Sequence, residues 1–306
     1  MLINISPTDT EVAPLWDPEK RQVIGLMTIS DYIHAVQICR INNVPLIELA
    51  SKTIHDMMMM PIMSLNFSEQ QSIDAEDSLY QLYMFLERSG ADYVSVINPD
   101  EGNLVSVLGY IDIINLLQVA CKQQPQLFHF TIQNLLKPDS TTTVFASAKL
   151  ADVLRMITDR GLVAVAIIDD HTHAVIGIYH KSDVTFIVRA SEPETVINNL
   201  SNMTMSEVLS AQQHSLFLSN SDNTAIPSPR QYTLVKCTPH DYLSSFIDLL
   251  VINRVTAAVC VNENDMCIGL ITITDILRFY FDGRNNLISS SNNNINNNIN
   301  HHIGRS

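Results

Sequence analysis

The chain has 306 residues, and 18 Lys and Arg against 32 Asp and Glu give it a formal net charge of −14. A hydrophobic content of 46% excludes a largely disordered chain, and the length allows two folded units. The acidic balance without a basic cluster excludes a nucleic-acid binder, and no apolar stretch approaches the roughly 18 residues that span a bilayer.

A segment of nine residues recurs along the chain. Its clear copies are Val23–Asp31 (VIGLMTISD), Val175–Asp183 (VIGIYHKSD) and Cys267–Asp275 (CIGLITITD). In each copy an Asp follows the Gly of an Ile-Gly pair by six positions and precedes an apolar run. A fourth, weaker copy is Leu104–Asp112, where the Gly has moved to position 109. The pattern indicates an internal repeat.

Two further features precede every copy except the first in the chain, Val23–Asp31. One is an amphipathic helical pattern, found at Ser78–Arg88, Leu150–Ile157 and Tyr242–Val251. The other is a β-rich apolar run that ends in a polar turn, found at Tyr93–Asp100, Leu162–Asp170 and Ala257–Asn264. Each unit therefore predicts helix, strand, turn, strand, Asp and helix, which is an α+β repeat containing a hairpin.

The repeat divides the chain into five parts. We predict a partial first repeat over 1–50, repeats over 58–125, 134–195 and 229–285, and a disordered Asn-rich tail over 286–306. A polar loop is expected over 209–230, ahead of the last repeat.

The first repeat lacks an opening helix and strand. Its sheet, around Val12–Leu15 and Val23–Met27, is therefore expected to have an unpaired neighbour. Because such an edge is a liability, we predict that the chain is truncated there or that another polypeptide covers this face.

The start of the chain shows no basic region followed by a long apolar core, so no secretory signal is predicted. The five cysteines show neither CxxC nor zinc-ligand spacing, and we expect buried free thiols. These features predict a reducing compartment, the cytoplasm or the nucleus.

P-loop, nucleophile-elbow, zincin and kinase signatures are all missing from the sequence, so an enzyme is not predicted.

Several strings resemble one family. They are Ala13–Asp17 (APLWD), Gly25–Asp31, Thr131–Asn134, Lys236–Cys237 with His240, and Asn262–Asp265. Together with the fourfold repeat they resemble the gamma subunits of AMP-activated protein kinase, which consist of cystathionine-β-synthase (CBS) domains. The resemblance covers about residues 11–283. It implies an α+β fold of tandem CBS repeats paired into two Bateman modules, about 1–125 and 134–285, that form a flat disc.

The resemblance also implies a function. Such a subunit is non-catalytic and requires no cofactor, and AMP, ADP and ATP compete for clefts between its repeats as regulatory ligands. Its expected partners are the catalytic alpha and scaffolding beta subunits of the kinase, with neither nucleic acid nor membrane. The nucleotide-binding residues implied here are Thr28, Asp31, Asp112, Thr131, Val163, His180, Lys181, Asp183, Thr272 and Asp275.

The chemistry of the Asp positions fits this role. A carboxylate can accept hydrogen bonds from two ribose hydroxyls, and a Thr three residues earlier can donate to a phosphate. Thr28 and Thr272 keep that spacing, whereas His180 and Gly109 replace the hydroxyl in the other two copies. The residues alone leave a second interpretation open, in which each Asp is only a helix N-cap contributing about 1 kcal/mol.

One departure from the family argues against the binding of nucleotide phosphates. The positions where the family has basic residues are occupied here by Glu11, Asp92–Tyr93, Gly161, Thr256–Ala257 and Ser215. Losing two charge-assisted phosphate contacts weakens binding by about two orders of magnitude or more. Lys181, Lys236 and Arg254 lie near the candidate sites and are expected to be ordinary solvated side chains.

Two alternative functions therefore remain. One is a structural CBS scaffold that assembles kinase partners without binding nucleotides, which the −14 charge also favours. The other is a sensor for an adenosyl compound that lacks a polyphosphate.

Overall fold

The computed structural model describes residues 12–17, 19, 21–42, 44–45, 48, 51–53, 56, 72–100, 103–124, 128–137, 142–185, 187, 193–219 and 234–283. Glu11, the tail 286–306 and the side chain of Ser215 lie outside the described part. Among the helices within it, none is long and apolar enough to cross a bilayer.

The first repeat is a hairpin followed by a helix. Strand β1 (Val12–Asp17) pairs antiparallel with β2 (Gln22–Thr28), and α1 (Ile29–Asn42) follows directly. Among the described residues this sheet has two strands, whereas the other three sheets have three.

The second repeat contains β3 (Ser72–Asp74), α2 (Leu79–Ser89), β4 (Tyr93–Ile97), β5 (Leu104–Gly109) and α3 (Tyr110–Gln123). The third contains β6 (Thr143–Phe145), α4 (Leu150–Arg160), β7 (Ala164–Ile168), β8 (Val175–His180) and the 3₁₀ segment Lys181–Thr185. Helices α5 (Pro193–Asn199) and α6 (Met205–Ser219) come next. The fourth contains β9 (Lys236–Cys237), α7 (Leu243–Asn253), β10 (Ala257–Val261), β11 (Cys267–Thr272), α8 (Ile273–Arg278) and the π-helical turn Phe279–Gly283.

The predicted hairpins are confirmed in all four copies. β4–β5, β7–β8 and β10–β11 are antiparallel like β1–β2, and the pairing register shifts near the end of the leading strand in each. The opening strands β3, β6 and β9 each pair parallel with the middle strand of their sheet and were not predicted. They have only two or three residues, too few to show a period-2 pattern.

Two expectations were wrong in detail. The first half of the expected loop 209–230 is helical, because α6 extends to Ser219. Helix α6 begins with a reciprocal cap in which Thr204 N–H donates to Glu207 Oε2 (2.7 Å) and Glu207 N–H donates to Thr204 Oγ1 (3.3 Å).

The second concerns the helix expected after Asp183, where the chain instead forms a 3₁₀ segment. There Thr185 Oγ1 donates to the Ser182 carbonyl at 2.9 Å, a local bond that competes with the α-helical pattern.

Three apolar clusters assemble the repeats. The third and fourth repeats pack sheet against sheet through small and branched side chains, including Ala164, Ala166, Ala257 and Val259. The first and third repeats share a second core, and the second and fourth share a third. β2 contacts β4, so the first and second repeats also meet through their sheets. Every residue of β7 and of β10 is buried, since each of these strands is covered on both faces.

Candidate functional site

A cavity of about 720 Å³ lies where the four repeats meet. Its lining residues, grouped by repeat, are Val12 and Ile29; Asp92, Tyr93, Tyr110, Ile111, Asp112 and Asn115; Val163, Lys181 and Ser182; and Val251, Arg254, Thr256, Ile273 and Thr274. We call this space the central cavity. All four repeats therefore contribute to its wall.

The repeated Asp has the same hydrogen bond in all four copies. Its Oδ2 accepts the backbone N–H of the residue three positions earlier. The donors and distances are Thr28 at 2.7 Å, Gly109 at 2.8 Å, His180 at 2.8 Å and Thr272 at 3.0 Å. The Asp is therefore not the N-cap, as the simpler interpretation supposed, but the acceptor that binds back to the cap residue.

The hydroxyl beside the Asp occurs in two copies. Thr28 Oγ1 and Thr272 Oγ1 donate to the same carboxylate oxygens, at 3.0 Å to Asp31 and 2.6 Å to Asp275. These hydroxyls serve the cap, so donating to a phosphate would require them to leave it.

In the second repeat the Tyr93 ring and the Asp92 carbonyl leave no room for such a side chain. A Cβ on Gly109 would lie 2.7 Å from Tyr93 Cδ1 and 2.8 Å from the Asp92 carbonyl oxygen. This close approach accounts for the glycine where two of the other copies have threonine.

Three of the predicted site residues, Asp112, Val163 and Lys181, line the central cavity. Six others do not line it but are one or two positions from a lining residue in the sequence: Thr28, Asp31, His180, Asp183, Thr272 and Asp275.

Thr131 lies elsewhere. It forms an isolated bridge with Tyr242, and the next residue, Ile132, donates its N–H to the Asp241 carbonyl at 3.0 Å. This stretch packs on the fourth repeat, and Thr131 is not among the residues that line the central cavity.

Burial changes the ionisation of the third-repeat pair. Asp183 is only 3% exposed, and burial raises its pKa to about 7, against smaller lowering effects of the His180 backbone and the Gln212 side chain. Burial likewise lowers the pKa of His180 to about 4. The His180 Nδ1 lies 3.5 Å from Thr256 Oγ1, and its buried Nε2 has no hydrogen-bond partner within the described part. The fold thus favours the neutral forms of both groups.

The carboxylates of Asp31 and Asp275, which also neighbour lining residues in the sequence, are partly buried. Burial raises the pKa of Asp31, and the charge of Asp92 contributes in the same direction, while the hydrogen bonds from Thr28 oppose both. Asp275 has a basic neighbour, since its Oδ1 lies 3.0 Å from Lys137 Nζ.

The three basic residues that were expected to be solvated fall into two groups: Arg254 is exposed, as expected, whereas the two lysines form ion pairs. Lys236 pairs with Asp265 (2.9 Å) and does not line the central cavity. Lys181 does line it, is only 20% exposed, and forms an ion pair with Asp92. The expectation of a solvated lysine was therefore wrong for Lys181.

Arg254 is a cavity-lining cation that the sequence reasoning undervalued. It ends α7 in the left-handed conformation (φ 52°), at the position that Gly90 and Gly161 occupy after α2 and α4 (φ 65° and 60°). Within the described part of the chain its guanidinium makes no ion pair. A non-glycine residue held in this conformation is strained. Arg21, His173 and Asp265 also have a positive φ, but of these four residues it is Arg254 that lines the central cavity. Aligning the helix ends of the repeats would have revealed it.

The described residues contain no group of three His, Cys, Asp or Glu that could hold a metal. All five cysteines are free thiols, as expected, but Cys267 is partly exposed rather than buried.

Comparisons with known proteins agree with the repeat. The CBS domain family matches residues 230–282. The chain is homologous to gamma subunits of 5′-AMP-activated protein kinase. It is 25% identical to human gamma-3 over 87% of this chain and 51% of that protein, and 24% identical to the Saccharomyces cerevisiae gamma subunit over 89% and 80%. The chain therefore spans about half the length of the mammalian relative.

A solved archaeal structure from Methanocaldococcus jannaschii, described as a homologue of the kinase gamma subunit, superimposes with a TM-score of 0.66. The two chains are 15% identical, and the match covers 91% of each. At that identity the likeness shows the fold, and it confirms tandem CBS repeats.

Proposed function

We propose that this chain, a homologue of the gamma subunits of AMP-activated protein kinase, is a non-catalytic regulatory gamma-type subunit of a Ser/Thr kinase complex. It senses the energy state of the cell by binding AMP, ADP or ATP in the central cavity. The observation that carries this proposal is Arg254, a strained cation without an ion-pair partner in the described part of the chain, in a cavity shared by all four repeats.

The cavity wall offers a contact for each part of an adenine nucleotide. Tyr93, Tyr110 and Val251 supply apolar and aromatic surface for a base. Asp112 supplies a carboxylate for ribose hydroxyls, and Arg254 supplies donors for a phosphate. The volume of about 720 Å³ lies within the usual range of small-molecule sites.

Two helices add a weaker preference for anions. α1 and α3 each have 14 residues, and their first residues, Ile29 and Tyr110, line the central cavity. The free amide groups and the dipole at a helix start favour negative charge nearby. This effect adds to the charge of Arg254 rather than replacing it.

Regulation would follow from the shared wall. A ligand that binds one arrangement of the four repeats better than another shifts the population toward that arrangement. The catalytic alpha and scaffolding beta subunits would read this shift, and the complex would act in the cytoplasm or the nucleus.

A second candidate function is the scaffold that assembles kinase partners without sensing nucleotides. The observation that favours it is the charge of the cavity wall, where Asp92 and Asp112 balance Lys181 and Arg254. A wall without net positive charge is a poor match for a triphosphate.

Calorimetric titration of the full chain with adenosine, AMP and ATP tests the proposal. Micromolar binding of AMP or ATP that Arg254→Gln weakens about tenfold, with Lys236→Gln as the matched surface control, supports it. No heat at millimolar nucleotide, from protein shown to be folded, supports the scaffold. Adenosine binding that AMP and ATP cannot match supports the sensor of an adenosyl compound without a polyphosphate.

A further inference from the structure

We propose that Asp92 competes with the phosphate of a ligand in the central cavity. Its carboxylate binds the cation of Lys181 and the hydroxyl of Ser30, which such a phosphate would otherwise use. The inference rests on the proposed function and concerns which charge state of ligand this chain accepts. It assigns to Asp92 the role of a specificity determinant.

The Asp92 carboxylate contacts two polar groups, so that three repeats meet at this point. Asp92 Oδ2 accepts hydrogen bonds from Lys181 Nζ and from Ser30 Oγ, the latter at 3.3 Å. Lys181 Nζ also lies 3.1 Å from Ser30 Oγ, so the three groups close a triangle. Asp92 belongs to the second repeat, Lys181 to the third and Ser30 to the first.

Two members of the triangle, Lys181 and Asp92, belong to the cavity wall and are partly shielded from solvent. The Lys181 side chain is 20% exposed and the Asp92 side chain 35%, and both residues line the central cavity. At this degree of burial an ion pair is screened less by water and salt than a pair on the open surface.

A phosphate oxygen and a carboxylate oxygen accept the same hydrogen bonds. A phosphate that approaches Lys181 must displace Asp92 or remain beside it, and the second case brings two negative charges together in a partly desolvated space. Asp112 adds a further carboxylate to the same wall. The penalty increases with the charge of the ligand, so it is greatest for ATP, smaller for AMP and absent for adenosine.

The position of Asp92 is fixed by the backbone. It lies between the C-cap Gly90 of α2 and the first residue of β4, and its carbonyl oxygen packs against Gly109. An Asn at this position keeps the shape of the side chain and its contact with Ser30 while removing the charge.

The test compares Asp92→Asn with the wild-type chain in calorimetric titrations with adenosine, AMP and ATP. Asp265→Asn, which removes the carboxylate of the ion pair with Lys236 outside the cavity, is the matched control. We expect Asp92→Asn to tighten ATP binding about tenfold or more, AMP binding less, and adenosine binding not at all, while the control changes none of them. Adding Lys181→Met to Asp92→Asn is expected to abolish the gain.

The outcomes separate this inference from the proposed function. If the wild-type chain binds ATP and Asp92→Asn binds it no better, the inference is wrong and the proposed function stands. If the wild-type chain binds neither AMP nor ATP and Asp92→Asn binds ATP, the inference stands and nucleotide sensing by the native chain does not. If neither protein binds any nucleotide, both are wrong. If the Asn variant unfolds, Asp92→Ser, which also removes the charge, replaces it in the same titrations.

Discussion

Lys137 Nζ lies 3.0 Å from Oδ1 of Asp275, across 138 positions of the chain. The other oxygen of the same carboxylate accepts both the N–H and the hydroxyl of Thr272. Asp275 thus secures the start of α8 and at the same time holds the segment that precedes β6. A ribose that used this carboxylate would have to displace the lysine.

These two roles of Asp275 can be separated by their effect on stability. We expect Asp275→Ala to lower the free energy of unfolding by about 1–2 kcal/mol, because it removes the cap acceptor as well as the ion pair. Lys137→Met should cost less than about 1 kcal/mol, because the lysine is 53% exposed. Urea unfolding of both variants measures the difference. Equal losses would contradict the capping role.

Arg254 predicts opposite effects on stability and binding. Arg254→Gly removes a left-handed non-glycine residue, and we expect it to stabilise the chain by about 1 kcal/mol while weakening AMP and ATP binding about tenfold. Arg254→Gln is the matched control, since it loses the charge but keeps the unfavourable conformation. It should weaken binding equally without stabilising the chain. Thermal unfolding and calorimetry on the same samples give both numbers, and unchanged nucleotide binding in Arg254→Gly would contradict the role of the guanidinium.

Gly109 should tolerate no side chain. We expect Gly109→Ala to lower the free energy of unfolding by about 1–3 kcal/mol, because its Cβ would overlap Tyr93 and the Asp92 carbonyl. Gly90→Ala is the control. Its Cβ would meet nothing within 4 Å, so only the left-handed φ of 65° costs stability there. Adding Tyr93→Ala to Gly109→Ala should recover part of the loss, and no recovery would show that the backbone contact dominates.

Trp16 offers a probe of the first repeat. It is the one tryptophan of the chain, it lies on β1, and its side chain is 56% exposed. If a partner chain covers this sheet, which is one of the two alternatives that the sequence predicts, the fluorescence emission of Trp16 should move to shorter wavelength in the purified kinase complex. The isolated chain should also be cut by protease within residues 10–45. Full protection of that stretch in a monomeric chain would contradict the prediction.

The sequence predicted the structural features that depend on local patterns of residues. The hairpins, the helices before them and the repeated Asp all follow from short-range periodicity and spacing. It could not predict the Lys181–Asp92 pair, because the partners are 89 positions apart and meet only after the second and third repeats assemble. It also mistook the position of the Asp within its cap, because Thr28 or Thr272 can serve as the cap equally well at that spacing.

The buried pair His180 and Asp183 predicts an unusual pH dependence. Burial raises the pKa of Asp183 from 3.8 to about 7, so the folded chain binds this proton more tightly than the unfolded chain. Its contribution to stability is full below about pH 4 and is lost as the pH rises toward 7. Burial lowers the pKa of His180 from 6.5 to about 4, so its contribution is present above pH 6.5 and is lost as the pH falls toward 4.

The two effects oppose each other between pH 4 and 6.5, where each alone changes the free energy of unfolding by up to about 1.4 kcal/mol per pH unit. Relative to wild type, Asp183→Asn should therefore lose stability as the pH falls through this window, and His180→Asn should gain it. The double variant should follow the wild-type slope, which removes the contribution of all other titrating groups from the comparison. Urea unfolding at half-unit intervals of pH measures the slopes. Parallel curves for wild type and both single variants would show that neither group titrates differently on folding.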